Sequence, residues 1–81
     1  MNVERLVAMV NDIAAFFTGE SGPGAPAEVA NHLRRFWDPR MRSQIIAAYR
    51  DDPSSLSHLS ETGRAAIAVL AEDDDARNST V

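Results

Sequence analysis

Stretches of the chain whose apolar residues recur every three to four positions are separated by short polar stretches rich in Gly, Pro, Ser and Asp. That recurrence marks helices with one buried face, and the period-two alternation of a half-buried strand appears nowhere. From Val3 to Phe17, Leu6, Met9, Val10, Ile13, Phe16 and Phe17 share one side, with Glu4, Arg5 and Asp12 opposite. The spacing predicts an amphipathic helix with Asn2 placed to cap it. Thr18–Ala25, reading TGESGPGA, holds three of the four Gly and a Pro, and is expected to be a mobile loop. Pro26 opens a second expected helix that runs to Trp37. Its buried face is Val29, Leu33 and Phe36, and His32 flanks that face.

Asp38-Pro39 punctuates the chain. Pro lacks a backbone N–H and disfavours a helical conformation in the residue before it, so the second helix is expected to end near Trp37. Asp38 can cap the next helix, with Pro39 at its first position, where no donor is missed. Asp38 is also placed to pair with Arg42 one turn on. A helix–corner–helix follows, with Phe36 and Trp37 at the elbow. The third helix, Pro39–Tyr49, is expected to bury Met41, Ile45, Ile46, Ala48 and Tyr49, and Asp51-Asp52-Pro53 closes it. Ser57 is placed to cap a fourth helix, His58–Glu72, that buries Leu59, Ala66, Ile67 and Leu70. Gly63 weakens that helix by about 1 kcal/mol relative to Ala. The acidic and then polar stretch Asp73–Val81 reads as disordered. The pattern thus predicts an all-α fold, a small bundle of four short helices over residues 1–72 with a tail at 73–81.

Composition narrows what such a bundle can do. Eighty-one residues allow one small domain. A chain this short buries a modest share of its surface, so another protein surface or a second copy is expected to complete its core. There is no Cys, hence no disulfide, no thiolate nucleophile and no iron–sulfur ligand. Two His could supply only part of a metal site. The run Glu72–Asp75 lacks the alternating ligands and turn-forming Gly of a calcium loop. No Gly-rich phosphate loop, no placed Ser/His/Asp set and no metal-ligand cluster is present, so no catalytic or cofactor-binding residue is assigned. No signal peptide and no apolar run near twenty residues is seen, which leads to the expectation of a cytoplasmic protein without membrane attachment.

The net charge is −4 and every cation is Arg. Five of the eight Arg fall between Arg34 and Arg50, while Glu72-Asp73-Asp74-Asp75 concentrates negative charge near the other end. Such a cationic face could meet nucleic-acid phosphates, but the acidic total, the missing Lys and the Pro-stiffened corner argue against it. Arg and Trp are enriched at the energetic centres of protein interfaces, and Arg suits carboxylates. A face that pairs with acidic groups on a larger protein is the better reading.

The stretch ANHLRRFWDPRMR (residues 30–42) resembles the signature of the small delta subunit of soluble NAD-dependent formate dehydrogenase. The opening MNVERLVAMVNDIAAFF and the segment LSHLSETGRAAIAVL also resemble that family's first and last helices, so the likeness covers roughly Met1 to Leu70. The resemblance implies a non-catalytic accessory subunit of a cytoplasmic complex that oxidises formate to carbon dioxide and reduces NAD. Molybdopterin (with molybdenum or tungsten), iron–sulfur clusters and flavin would sit on other subunits. The role implied is to stabilise the complex or to aid cofactor insertion. Its partners would be the large subunits, the catalytic alpha subunit foremost, with a homodimer possible in isolation. Matching the signature, Asn31, His32, Arg34, Arg35, Trp37, Arg40 and Arg42 are the expected partner-binding residues, and Asp38, Pro39 and Phe36 the structural corner. Two alternatives are a transient assembly factor for the same enzyme and a stand-alone helical regulatory homodimer.

Overall fold

The computed structural model describes residues 2–78, which form four α-helices and no strand. They are α1 (Val3–Ser21), α2 (Ala25–Phe36), α3 (Pro39–Asp51) and α4 (Glu61–Asn78), with single 3₁₀ turns at Gly22–Gly24 and Pro53–Leu56. Helix α2 lies between α1 and α4 and packs most extensively against both, while α3 closes the remaining side. The fold is all-α, as the periodicity predicts. None of these helices is long and apolar enough to cross a membrane.

Local chemistry sets most helix ends. The Asn2 side-chain oxygen accepts from the Glu4 N–H at 2.7 Å and starts α1. The expected loop over Thr18–Ala25 is corrected: α1 continues through Thr18, Gly19, Glu20 and Ser21. Within this last stretch the Thr18 hydroxyl donates back to the Ala14 carbonyl at 2.7 Å, which satisfies it without a break in the helix. The helix stops at Gly22, where φ reaches +54°, a conformation that Gly enters without a Cβ penalty. The break therefore contracts to the 3₁₀ turn Gly22–Gly24.

At the second corner Trp37 leaves the helix in an extended conformation (φ −82°, ψ 142°). The Asp38 carboxylate accepts from the Arg40 N–H at 2.8 Å, and Pro39 opens α3. This is the Pro-capped corner read from the sequence.

The fourth helix needs two corrections. It begins at Glu61 rather than His58, and its cap is Ser60, whose hydroxyl accepts from the Gly63 N–H at 3.0 Å. Ser57 and His58 stay in the connection because α1 holds that connection from outside. Asn11 donates its side-chain amide to the His58 carbonyl at 2.9 Å and accepts the Ser60 N–H at 2.8 Å. The helix also runs on to Asn78, so Asp73–Asn78 is helical rather than disordered. Residues 79–81 of the expected tail lie outside the described residues.

The core is continuous through all four helices. Leu6, Val10, Val29, Leu33, Ile45, Leu56 and Ile67 are its largest fully enclosed side chains. Each contributes about 1.5–3 kcal/mol by burial. Leu59, Ala66 and Leu70 are buried as expected, and so is Trp37 at 6 % exposure. Gly63 belongs to this core. A Cβ there would stand 3.1 Å from Val10 Cγ1 and 3.2 Å from Leu59 Cδ2, so the missing side chain lets α4 approach α1.

Two expected core residues are not in the core. Phe16 is 61 % exposed and Phe36 is 68 % exposed. On α1 the buried set is Leu6, Val7, Val10 and Ala14. Phe16 follows Val10 by six positions, which places it about 120° away round the helix. Phe36 ends α2, and the extended Trp37 that follows turns inward and takes the space beneath the corner.

Candidate functional site

The residues expected to bind a partner divide into those the fold uses and those it leaves outside. Arg42 belongs wholly to the fold. Its Nη1 donates to the carbonyls of Trp37 at 2.6 Å, Arg34 at 3.1 Å and Leu33 at 3.4 Å. The Leu33 carbonyl also accepts the Trp37 N–H at 3.1 Å, those of Arg34 and Trp37 lie past the last helical bonds of α2, and a cation there complements the helix dipole. The expected Asp38–Arg42 pair is thus replaced by a guanidinium that locks α3 under the end of α2. Trp37 is buried within the same corner.

Arg34 is drawn the other way, toward α4. It forms an ion pair with Asp73, and its Nη1 donates to the Asn31 side-chain oxygen at 3.1 Å. On the same turn of α4, Arg50 meets Asp75 at 2.6 Å and Asp74 at 3.5 Å and donates to the Ala71 carbonyl at 3.0 Å. A cleft of about 320 Å³ lies between these groups, lined by Arg34, Arg42, Ser43, Ile46, Leu70 and Asp73 among others. Its two guanidiniums are already engaged. The acidic residues assigned to a tail are therefore the partners of the cationic face, a link the sequence pattern missed because the pairs are 25 and 39 positions apart.

Of the expected set, Asn31, Arg35 and Arg40 are exposed and His32 is half-buried, and His32 and Arg35 belong to a different assembly. His32 stands between two rings, 6.1 Å from that of Phe17 and 4.8 Å from that of Phe36. Phe17 in turn meets Phe16 edge-on at 5.1 Å. The Arg35 guanidinium lies 5.6 Å from the centre of the Phe36 ring, within the range of a cation–π contact. Four rings thus form a continuous ladder across α1 and α2, and its two ends are the exposed Phe16 and Phe36. A shallow depression of about 290 Å³ runs along it between Asp12, Ile13, Phe16, Phe17 and His32. Contiguous exposed apolar surface of this kind marks interaction sites in soluble proteins. The signal available in the sequence was the pair Phe16-Phe17 at the end of the apolar stripe, since adjacent helical residues point about 100° apart and one of two such rings stands toward the edge of that stripe.

Arg40 carries its backbone N–H to the Asp38 cap, and its side chain is exposed beside Pro39. Among the described residues no group of three or more His, Cys, Asp or Glu is placed to hold a metal ion.

The family profile described as NADH-dependent formate dehydrogenase delta subunit FdsD matches residues 5–75. That span takes in the corner, the aromatic ladder and the acidic end of α4. No curated protein and no solved structure matches the chain. With the profile covering nearly the whole of its length, the chain belongs to the delta-subunit family of NADH-dependent formate dehydrogenases.

Proposed function

We propose that this chain is a non-catalytic accessory subunit of a cytoplasmic NAD-dependent formate dehydrogenase. It docks on the larger subunits, the catalytic subunit foremost, and stabilises the assembled enzyme or assists insertion of its molybdenum- or tungsten-bearing cofactor. The family match over residues 5–75 carries this reading. The chain's own chemistry supports it. With no Cys it offers no iron–sulfur ligand, and its described residues gather no metal-binding cluster, so the redox centres are assigned to other subunits. Conversion of formate and NAD to carbon dioxide and NADH is then the work of the complex, to which this chain contributes surface.

Of the residues matching the signature, His32, Arg35 and Arg40 are available for docking. Trp37 and Arg42 hold the corner beside them, while Arg34, with Asn31, is turned to Asp73 of α4.

The test is purification of the tagged chain from its native cell, read by mass spectrometry and by formate-dependent NAD reduction. Stoichiometric recovery with large subunits and with activity is the expected result. Recovery with an inactive catalytic subunit alone, and absence from the active complex, would replace the permanent subunit with a transient assembly factor.

A further inference from the structure

We propose that the ladder Phe16–Phe17–His32–Phe36, with Arg35 at its edge, is the surface that docks on a larger subunit of the complex. Its counterpart is an apolar protein segment that carries a carboxylate. The inference rests on the subunit reading above and names the surface and the partner chemistry.

Three observations carry it. First, Phe16 and Phe36 are the large apolar side chains left exposed among the described residues, and they are the two ends of one ladder rather than scattered positions. Aromatic side chains in such clusters supply large contact area at low entropic cost, and with Arg they dominate interface energetics. Second, the charges sort themselves. Arg34 and Arg50 already hold carboxylates of α4, and Arg42 and Arg64 hold backbone carbonyls, Arg64 that of Leu56 at 2.9 Å. Arg35 contacts a ring, and among the described residues it is in no ion pair. A cation beside an exposed aromatic ring can take an anion from outside, and apolar surroundings strengthen the pair once water is excluded. Third, the ladder stands on rigid ground. Its rings project from α1 and α2, which pack closely through the buried Val10, Ala14, Val29 and Leu33. A preformed surface loses little freedom on binding.

The experiment co-expresses the tagged full-length chain with the large subunits and compares Phe16→Gln/Phe36→Gln, Phe36→Gln, Arg35→Glu and the control Glu61→Gln with wild type. Large subunits retained on the tag, helicity of the isolated chains, and their sedimentation are measured. The double variant is expected to retain roughly tenfold less, or lower still, at wild-type helicity, with Phe36→Gln and Arg35→Glu intermediate and Glu61→Gln unchanged.

Retention of the double variant at the wild-type level would overturn the ladder as docking surface and leave the subunit reading standing. Undiminished retention of Arg35→Glu would overturn the acidic counterpart. A wild-type dimer that the double variant dissolves, with large subunits still retained, would assign the ladder to a second copy and overturn the proposal. If wild type itself recovers no large subunit, the subunit reading fails first and this inference with it.

Discussion

The face between α2, α3 and α4 and the face across α1 and α2 treat their side chains in opposite ways. The first is rich in charge, and nearly all of that charge is engaged within the chain: Arg42 on three carbonyls, Arg34 on Asp73, Arg50 on Asp74 and Asp75. The second carries few charges and leaves two phenylalanines in water. Cationic residues crowded along a sequence suggest a binding surface. Yet Arg34, Arg42 and Arg50 find their partners within the same chain, and the large apolar surface left exposed is the aromatic one. What a face can offer another molecule is the part of its chemistry that the fold has not already satisfied.

The sharpest way to break this comparison is at the corner joining the two faces. Trp37→Ala would remove a buried indole from a core only four helices wide. The expected loss is about 3–5 kcal/mol, a large part of the stability of a small domain. Urea denaturation followed by circular dichroism would show it as a collapsed midpoint, and a loss below about 1 kcal/mol would mean the corner is held by other contacts. Arg42→Gln comes next. A shorter neutral side chain cannot span the three carbonyls that end α2, and the expected loss is about 1.5–3 kcal/mol. If Arg42→Gln were as stable as wild type, Arg42 would have to be counted with the docking residues after all.

How legible this division was in the sequence depends on the distance over which each feature is decided. Asn2, Asp38 and Pro39 were readable because a cap acts on N–H groups one turn away. The core stripe of α4 was readable because Ala66, Ile67 and Leu70 share one face whatever packs on it. The end of α1 was not. Gly and Ser density signals a break somewhere, but only Gly22 adopts the positive φ that makes one. Gly63 read as a propensity defect, and its reason lies on another helix, at Val10. The acidic residues of α4 read as tail because nothing in their own neighbourhood orders them. Their order comes from Arg34 and Arg50. Among the docking candidates, His32 and Arg35 were found through the family signature. Phe16 and Phe36 were misassigned to the core because periodicity gives a face and not its centre or its end.

The ion pairs of the first face set a smaller expectation. Asp73→Asn with Asp75→Asn removes the carboxylate facing Arg34 and the nearer of the two facing Arg50, the two Arg side chains being about one-third exposed. Each pair is worth at most about 1 kcal/mol at such exposure. The loss is expected to shrink further when salt is raised, because screening acts on exposed pairs first. Thermal unfolding of the double variant at low and high salt would check both points. A larger, salt-independent loss would show that the end of α4 is held by these carboxylates in a buried state.

The smallest stability change is expected where the largest functional one is proposed. Phe36→Gln alters a side chain that lies mostly in water at the last position of α2 and leaves the buried face of that helix untouched. Gln is as good a helix former as the position needs. What is lost within the chain is the ring contact with His32 and the cation–π contact with Arg35, both at the surface. The change in unfolding free energy is therefore expected to stay within about 0.5 kcal/mol, measured by the same urea titration as Trp37→Ala. The adjacent positions 36 and 37 would then separate cleanly, one carrying stability and the other association. A loss at Phe36 approaching that at Trp37 would mean that the ladder is the edge of the core, and the contrast between the two faces would disappear.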